Sequence, residues 1–198
     1  ARASRKNAGA DAWAGDSAVL DDIAKTEFVG YTDMKATAKV TAIVKDGARI
    51  EAAETGDDIV FTLDRTSFYA ESGGQVGDTG VITNDSCTIR VLDTTKNAAG
   101  VFIHKAVVEE GFLREGDTVE AVVDVERRRA IMRNHTAAHL LQAALRSVLG
   151  DHVEQAGQLV NENAVRFDFT HFSALTDEEL LAVENLVNKK ILEDIKVE

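Results

Sequence analysis

Several residue types and patterns are scarce or missing in this 198-residue chain. The single cysteine, Cys87, excludes an internal disulfide framework and fits a reducing compartment. No apolar run is long enough to cross a bilayer, and the opening ARASRKNAGADAW lacks the apolar core of a signal peptide. Proline is absent altogether. We therefore predict a cytoplasmic protein that folds without disulfides.

Basic side chains are also few, with 22 Lys and Arg against 34 Asp and Glu. The resulting net charge of −12 repels a phosphate backbone, so non-specific binding to nucleic acid is not expected unless basic residues cluster locally. Apolar residues make up 44% of the chain, which is enough to bury a sizeable core. The length fits one large domain or two small ones.

Short strands separated by turn residues are predicted between residues 36 and 124. The strand segments read TAKVTAIV, ARIEAA, IVFTLD, VIT, CTIRVLD, VFIHKAVV and TVEAVVDV. Asp46-Gly47 between the first two is a hairpin dipeptide. Five to seven strands at this spacing favour a small β-barrel or closed sheet.

The hydrophobic period changes at Asp124 from two to that of a helix. We predict one helix over residues 126–149, with Asp124 as N-cap and Gly150 at the end. Two alternating strands follow, HVEQAGQLV and AVRFDFTHF, and then a helix that opens with the capping box Thr176-x-x-Glu179. The fold class is therefore α+β, a small β-barrel followed by an incomplete α+β core with the order helix-strand-strand-helix.

HTAAH places His135 and His139 one turn apart on the same face of the first helix, a spacing that can hold one metal ion. Zinc needs about four ligands, or three plus water, so the pair leaves the coordination sphere unfinished. Candidates to complete it are His152, His171, Cys87 and several carboxylates, none at a recognisable ligand spacing. Spacing alone favours a structural pair packed against polar partners. The metalloprotease HExxH pattern is not met.

A glycine-rich loop, ESGGQVGDTG, separates two predicted strands. Its glycines let the backbone approach a ligand and direct N–H groups at an anion or ester oxygen. A wide turn with no ligand explains the same composition equally well. The loop lacks the ending of a P-loop and the spacing of a dinucleotide fingerprint, so nucleotide binding is not indicated. Its residues of interest are Gly73, Gly74, Gln75, Gly77, Asp78 and Gly80.

Two further polar features lie near the histidines in sequence. The run Arg127, Arg128, Arg129 and Arg133 could contact phosphate, but such a run at the start of a helix is more often a solvated face paired with acids. Gln155, at the start of a predicted strand, is a polar residue that could face the same cleft as the histidines.

Three long motifs in this order resemble the editing domain of the bacterial alanyl-tRNA synthetase family. They are TSFYAESGGQVGDTG, GDTVEAVVDVERRRAIMRNHTAAHLLQAALRSVLGDHVEQAGQLV and RFDFTHFSALT. The resemblance runs from about Phe28 to the end of the chain. Free-standing editing proteins of the AlaX type share the histidine-pair helix, as does, more distantly, the editing domain of threonyl-tRNA synthetase.

The resemblance implies hydrolysis of seryl- and glycyl-tRNA(Ala), mischarged products that a size-limited synthetic site does not fully exclude. It implies zinc on His135 and His139, completed in the family by a cysteine and a histidine from a CxxxH motif farther along. No CxxxH occurs in these 198 residues, so two of four expected ligands are present. We expect this chain by itself to bind zinc weakly or not at all and to deacylate poorly.

Residue roles are carried over in the same way. Gln155 matches a pocket position and is the predicted catalytic residue, stabilising the ester oxyanion with backbone N–H groups. The predicted substrate contacts are Gly73, Gly74, Gln75 and Ala138. Two positions depart from the family pattern, since Ala138 stands where many members have threonine and Gln158 where many have serine. The first departure removes a hydroxyl from the pocket wall.

The resemblance also predicts the domain organisation. Residues 1–27 would be a linker from a preceding helical domain, residues 28–125 the barrel with its glycine-rich loop, and residues 126–198 the N-terminal part of the editing core. The parent would be a ligase that uses ATP and Mg²⁺ at sites outside this chain, and its partners would be tRNA(Ala) and other synthetase domains. The alternatives are a free-standing AlaX-type deacylase and a non-catalytic module that binds tRNA or another domain.

Overall fold

The computed structural model describes residues 19–194. The described residues divide by packing into two units, one of residues 19–72 and 76–128 and the other of residues 73–75 and 129–194. The predicted boundary after residue 125 stays a prediction, and most of the predicted linker over residues 1–27 lies outside the described part. Within that part, neither helix is long and apolar enough to span a membrane.

The first unit is a closed barrel with short strands around it. Its strands are β1 (Glu27–Phe28), β2 (Lys35–Lys45), β3 (Ala48–Ile50), β4 (Ala52–Glu54), β5 (Asp58–Leu63), β6 (Arg65–Thr66), β7 (Gly80–Asn84), β8 (Cys87–Lys96), β9 (Phe102–Arg114) and β10 (Thr118–Val123). Six of them pair antiparallel in the order β10-β7-β8-β9-β5-β2, and β10 pairs again with β2 to close the barrel. The predicted small barrel is thereby confirmed.

Alternation along the strands builds the barrel core. In β2, Ala36, Ala38 and Val40 are buried while the residues between them are exposed, because successive side chains point to opposite faces. The hairpin at Asp46-Gly47 is confirmed, with φ of 51° and 79° as a tight turn between twisted strands requires. The predicted single strand ARIEAA is instead divided at Glu51, because β3 pairs with β2 whereas β4 pairs with β9.

The second unit contains most of one long helix, a two-stranded sheet and a second helix. These elements are α1 (Val125–Leu149), β11 (Gln155–Val160), β12 (Val165–Phe169) and α2 (Asp177–Leu192). The predicted caps are confirmed, since the Asp124 carboxylate accepts from the Arg127 N–H at 3.0 Å and Thr176 forms the reciprocal capping box with Glu179. Gly150 follows α1 with φ of 115°. Helix-strand-strand-helix after a barrel confirms the α+β fold class.

A small core holds the second unit together. Its buried residues are Ala144, Leu145, Val153 and Val183, and partly buried leucines, valines and phenylalanines pack around them. The sheet is antiparallel and carries a bulge between Gln155 and Gly157. Such a bulge re-aims side chains at the start of β11, where Gln155 lies.

Candidate functional site

The two histidines of HTAAH share one face of α1, as their spacing predicts. Their rings stack with centroids 5.1 Å apart and an angle of 25° between planes. His135 is half-buried and His139 is exposed. Burial, together with the charge that His139 carries when protonated, lowers the pKa of His135 from its usual value. His135 is therefore biased toward the neutral form, which is the form that binds metal ions.

Gln75 from the glycine-rich loop lies against His135. Its side-chain oxygen Oε1 is 2.5 Å from Nδ1 of the imidazole, and the residue is only 6% exposed. These two residues are sixty positions apart in the chain. The structure thus brings together two motifs that the sequence presents separately, and both belong to the second unit.

The backbone around Gln75 is attached to β11. Val160 donates its N–H to the Gly74 carbonyl at 2.8 Å, Gln75 forms a parallel bridge to Val160, and the Gln158 amide donates to the Gly73 carbonyl. A Cβ at position 74 would lie 2.4 Å from the Gln158 carbonyl oxygen, so only glycine fits this approach. The two glycines, with φ of 60° and 85°, therefore let the loop pack directly on a strand.

The remaining predicted site residues are placed as follows. Gln155 is exposed at the first position of β11, and Ala138 is 2% exposed on α1, one residue before His139. Gln158, one of the two departures from the family pattern, hydrogen-bonds the glycine loop through its side chain. A serine side chain at that position is shorter, so its hydroxyl would not reach the Gly73 carbonyl in the same way. The roles predicted for these residues stay predictions.

No third metal ligand gathers at the histidine pair among residues 19–194, where no group of three or more His, Cys, Asp or Glu side chains could hold an ion. His152 and His171 hydrogen-bond each other instead, with Nε2 and Nδ1 2.9 Å apart. Cys87 is buried in the barrel core, where desolvation raises the pKa of its thiol. The donors present are two imidazoles one turn apart, a set that fits half of a zinc site.

Arg128 is a residue whose role the sequence did not indicate. The predicted solvated face is wrong for this residue, which is 5% exposed, whereas the predicted pairing with an acid is present. Its Nε hydrogen-bonds both oxygens of Asp78 at 2.9 and 2.8 Å, and its other nitrogens donate to the carbonyls of Gly30 and Ser67. Asp78 also accepts from the Tyr69 N–H at 2.7 Å. This buried pair fixes the second half of the glycine loop within the barrel unit.

Comparison with known proteins supplies the class. The family model for class II (A) tRNA synthetases matches residues 1–127, more than half of the chain. The chain therefore belongs to the class II (A) tRNA synthetase family.

Three relatives that the chain resembles closely in sequence all carry the same name, alanine--tRNA ligase. The chain is 53% identical over 188 residues to an alanine--tRNA ligase of Acetivibrio thermocellus, a match that covers 94% of this chain and 21% of that protein. It is 49% identical over 198 residues to the alanine--tRNA ligase of a Thermoanaerobacter species and 45% identical over 180 residues to that of Bacillus subtilis. These matches cover 22% and 20% of the two proteins. The chain spans about a fifth of the length of these relatives.

Proposed function

We propose that this chain carries part of a site that hydrolyses seryl- and glycyl-tRNA(Ala) for an alanine--tRNA ligase. The observation that carries the proposal is the meeting of the glycine-rich loop, the histidine helix and β11 within one unit, centred on the contact between Gln75 and His135. Parts of two of the motifs that resemble an editing domain thereby come together. Similarity to alanine--tRNA ligases along nearly the whole chain supports tRNA(Ala) as the partner.

His135 and His139 would hold a zinc ion as two of its ligands, since neutral imidazoles are common zinc ligands. A zinc ion in such a site positions or activates water, or recognises the amino or hydroxyl group of the amino acid. The half-burial of His135 and its depressed pKa keep the ring available as a neutral donor. The two imidazoles alone leave the zinc site incomplete.

Gln155 and the glycine-rich loop would bind the ester that links the amino acid to the tRNA. Gln155 is exposed, so its amide can donate a hydrogen bond to the oxyanion that forms when water attacks the ester carbonyl. Gly73 and Gly74 carry no side chain that would hinder a substrate, and Gln75 and Ala138 complete the proposed contacts beside the histidines. Net hydrolysis then consumes one water and releases free serine or glycine and tRNA(Ala).

Hydrolysis of charged tRNA by the chain and by the longer ligase to which it corresponds tests the proposal directly. Seryl- and glycyl-tRNA(Ala) are the substrates and alanyl-tRNA(Ala) is the control. We expect H135A and Q155A each to lower deacylation in the longer enzyme by about 100-fold, in line with loss of a metal ligand or an oxyanion donor. The matched control is H152Q, outside the proposed site. Unchanged deacylation in H135A would favour the non-catalytic binding module.

The other parts of the proposal concern the whole ligase. Joining alanine to tRNA is the activity that the relatives' name states. We propose this activity, with ATP and Mg²⁺, for the longer protein rather than for this stretch. We propose the cytoplasm as its compartment, on the single cysteine and the role in protein synthesis. The chain alone, with two of four zinc ligands, is expected to bind zinc weakly.

A further inference from the structure

We propose that Gln75 is a positioning residue that sets the tautomer of His135, so that Nδ1 carries the ring proton and Nε2 is free to bind a metal. In this role Gln75 acts through His135, in addition to the substrate contact proposed above. The inference rests on the proposed function and deepens it, because it states which of the two ring nitrogens of His135 would bind the metal and which contact holds the ring in that state.

The chemistry of the contact fixes the direction of the hydrogen bond. The atom of Gln75 that faces the imidazole is the amide oxygen, 2.5 Å from Nδ1. An amide oxygen only accepts hydrogen bonds, so Nδ1 must be the donor. A neutral imidazole carries one proton, and placing it on Nδ1 leaves a lone pair on Nε2.

Burial and backbone contacts hold the amide in this orientation. Gln75 is 6% exposed, so its side chain has little freedom to turn away from His135. The residues before it are attached to β11 through the Gly74 carbonyl and the Gly73 carbonyl, which accept from Val160 and Gln158. Because a Cβ on residue 74 would collide with the Gln158 carbonyl, the close packing that aims Gln75 depends on glycine.

Metal-binding histidines generally donate their second N–H to a carbonyl or carboxylate, which orients the ring and raises its basicity. Gln75 supplies an oxygen of this kind from outside α1. Loss of such a partner typically weakens metal binding by about 10- to 100-fold while leaving the ligands themselves in place. No other residue of the glycine-rich loop is bonded to either histidine in the described part of the chain.

Nitrogen NMR on the chain labelled with ¹⁵N-histidine reads the tautomer directly, because long-range couplings distinguish a protonated ring nitrogen from a bare one. At a pH where the ring is neutral, we expect His135 in the unmodified chain to be protonated on Nδ1. Q75M removes the acceptor with little change in volume and should shift the population toward the other tautomer. Q75E restores an acceptor oxygen and should restore Nδ1 protonation. Q142M, the same replacement on α1, is the control and should leave the spectrum of His135 unchanged.

Two results would overturn the inference. One is a proton on Nε2 of His135 in the unmodified chain, and the other is an unchanged tautomer in a Q75M variant whose remaining spectrum shows a native fold. Should Q75M not fold, G74A keeps the amide but displaces it, and should produce the same change at His135. An unchanged tautomer in a folded G74A would count against the proposal in that case.

Zinc titration of the same variants links the tautomer to the site. In the longer ligase, Q75M should weaken zinc binding about 10-fold or more, whereas Q142M should not. Failure of this inference is distinguishable from failure of the proposed function. If the tautomer of His135 depends on Gln75 but H135A leaves deacylation intact, then Gln75 orients a structural histidine, and only the proposed editing function is refuted. If deacylation requires His135 but its tautomer is the same with and without the Gln75 amide, only the proposed role of Gln75 is refuted.

Discussion

The two units of the chain differ in how completely they bury their apolar residues. Among residues 19–194, the barrel closes its own sheet and encloses 18 buried residues in one core, whereas the corresponding cluster of the second unit contains four. In the described part of the second unit, five large apolar side chains are more than half exposed, namely Phe172, Leu180, Leu181, Ile191 and Leu192. His135, His139, Gln75 and Gln155 all belong to this second unit. The candidate site is therefore built where local stability is expected to be lower.

The largest effect is expected from breaking the buried ion pair of the barrel unit. R128M should lower the free energy of unfolding by about 3–5 kcal/mol, because it leaves the Asp78 carboxylate buried without its counter-ion. It also removes the donors that satisfy the carbonyls of Gly30 and Ser67. Urea unfolding, monitored through hydrogen exchange in the barrel strands, measures the change in the free energy of unfolding.

R90Q provides the matched comparison for that variant. Arg90 pairs with Glu109 on the barrel surface, where both side chains are well exposed, so its loss should cost less than about 1 kcal/mol. Equal effects of R128M and R90Q would show that burial of the ion pair does not determine the stability of the barrel unit.

Period-two alternation made the barrel predictable, and the same kind of local reasoning could not find what fixes its loop. Strand segments, the Asp46-Gly47 hairpin and the cap at Asp124 each depend on neighbouring residues, so the sequence contains the information directly. Asp78 and Arg128 are fifty positions apart, and a single sequence carries no sign that they pair. The division of ARIEAA into β3 and β4 was missed for the same reason, since it depends on the distant strand β9.

A pH effect should separate the barrel from the second unit. His104 is fully buried against Thr66 and Phe61, and desolvation lowers its pKa to about 4. Between pH 6.5 and 4 the unfolded chain binds a proton at this imidazole that the folded barrel does not bind. The contribution of neutral His104 to the free energy of unfolding is therefore complete above pH 6.5 and is lost as the pH falls toward 4. A shift from 6.5 to about 4 corresponds to about 3 kcal/mol.

Hydrogen exchange of the barrel strands as a function of pH measures this loss. H104F should flatten the dependence over that range, because no imidazole remains to be protonated on unfolding. H152Q, at an exposed histidine of the second unit, should retain the dependence in the barrel strands. A barrel in which the unmodified chain and H104F show the same pH profile would contradict the prediction.

Matched valine truncations sharpen the contrast in packing. V108A in β9 and V183A in α2 each remove about two methylene equivalents, a loss of about 1.5 kcal/mol from transfer alone. Val108 is 0% exposed inside a closed barrel that cannot collapse around a cavity, so its variant should cost more than this. Val183 is 6% exposed in a core of four residues that can relax. Local exchange rates in β9 and α2 compare the two, and a larger loss from V183A would refute the ranking.

The candidate site was predictable only in part. The spacing of His135 and His139 placed them on one helical face, and the glycines of the loop indicated a close backbone approach, both of which the structure shows. That the loop approaches β11, and that Gln75 meets His135, depends on contacts between segments sixty or more residues apart. Spacing alone favoured a structural pair, and only the convergence of the motifs gives the pair a candidate role.

The smallest effect is expected from the exposed apolar residues of α2. Leu181 is 57% and Leu192 is 85% exposed, so replacing both by glutamine removes little buried area. Glutamine is also a good helix former, so the propensity of α2 changes little. The free energy of unfolding of the second unit should move by no more than about 0.5 kcal/mol, in contrast to V183A on the same helix. Hydrogen exchange in α2 is the measurement. A loss comparable to that of V183A would mean that these side chains are buried in solution, and that the second unit packs as completely as the barrel.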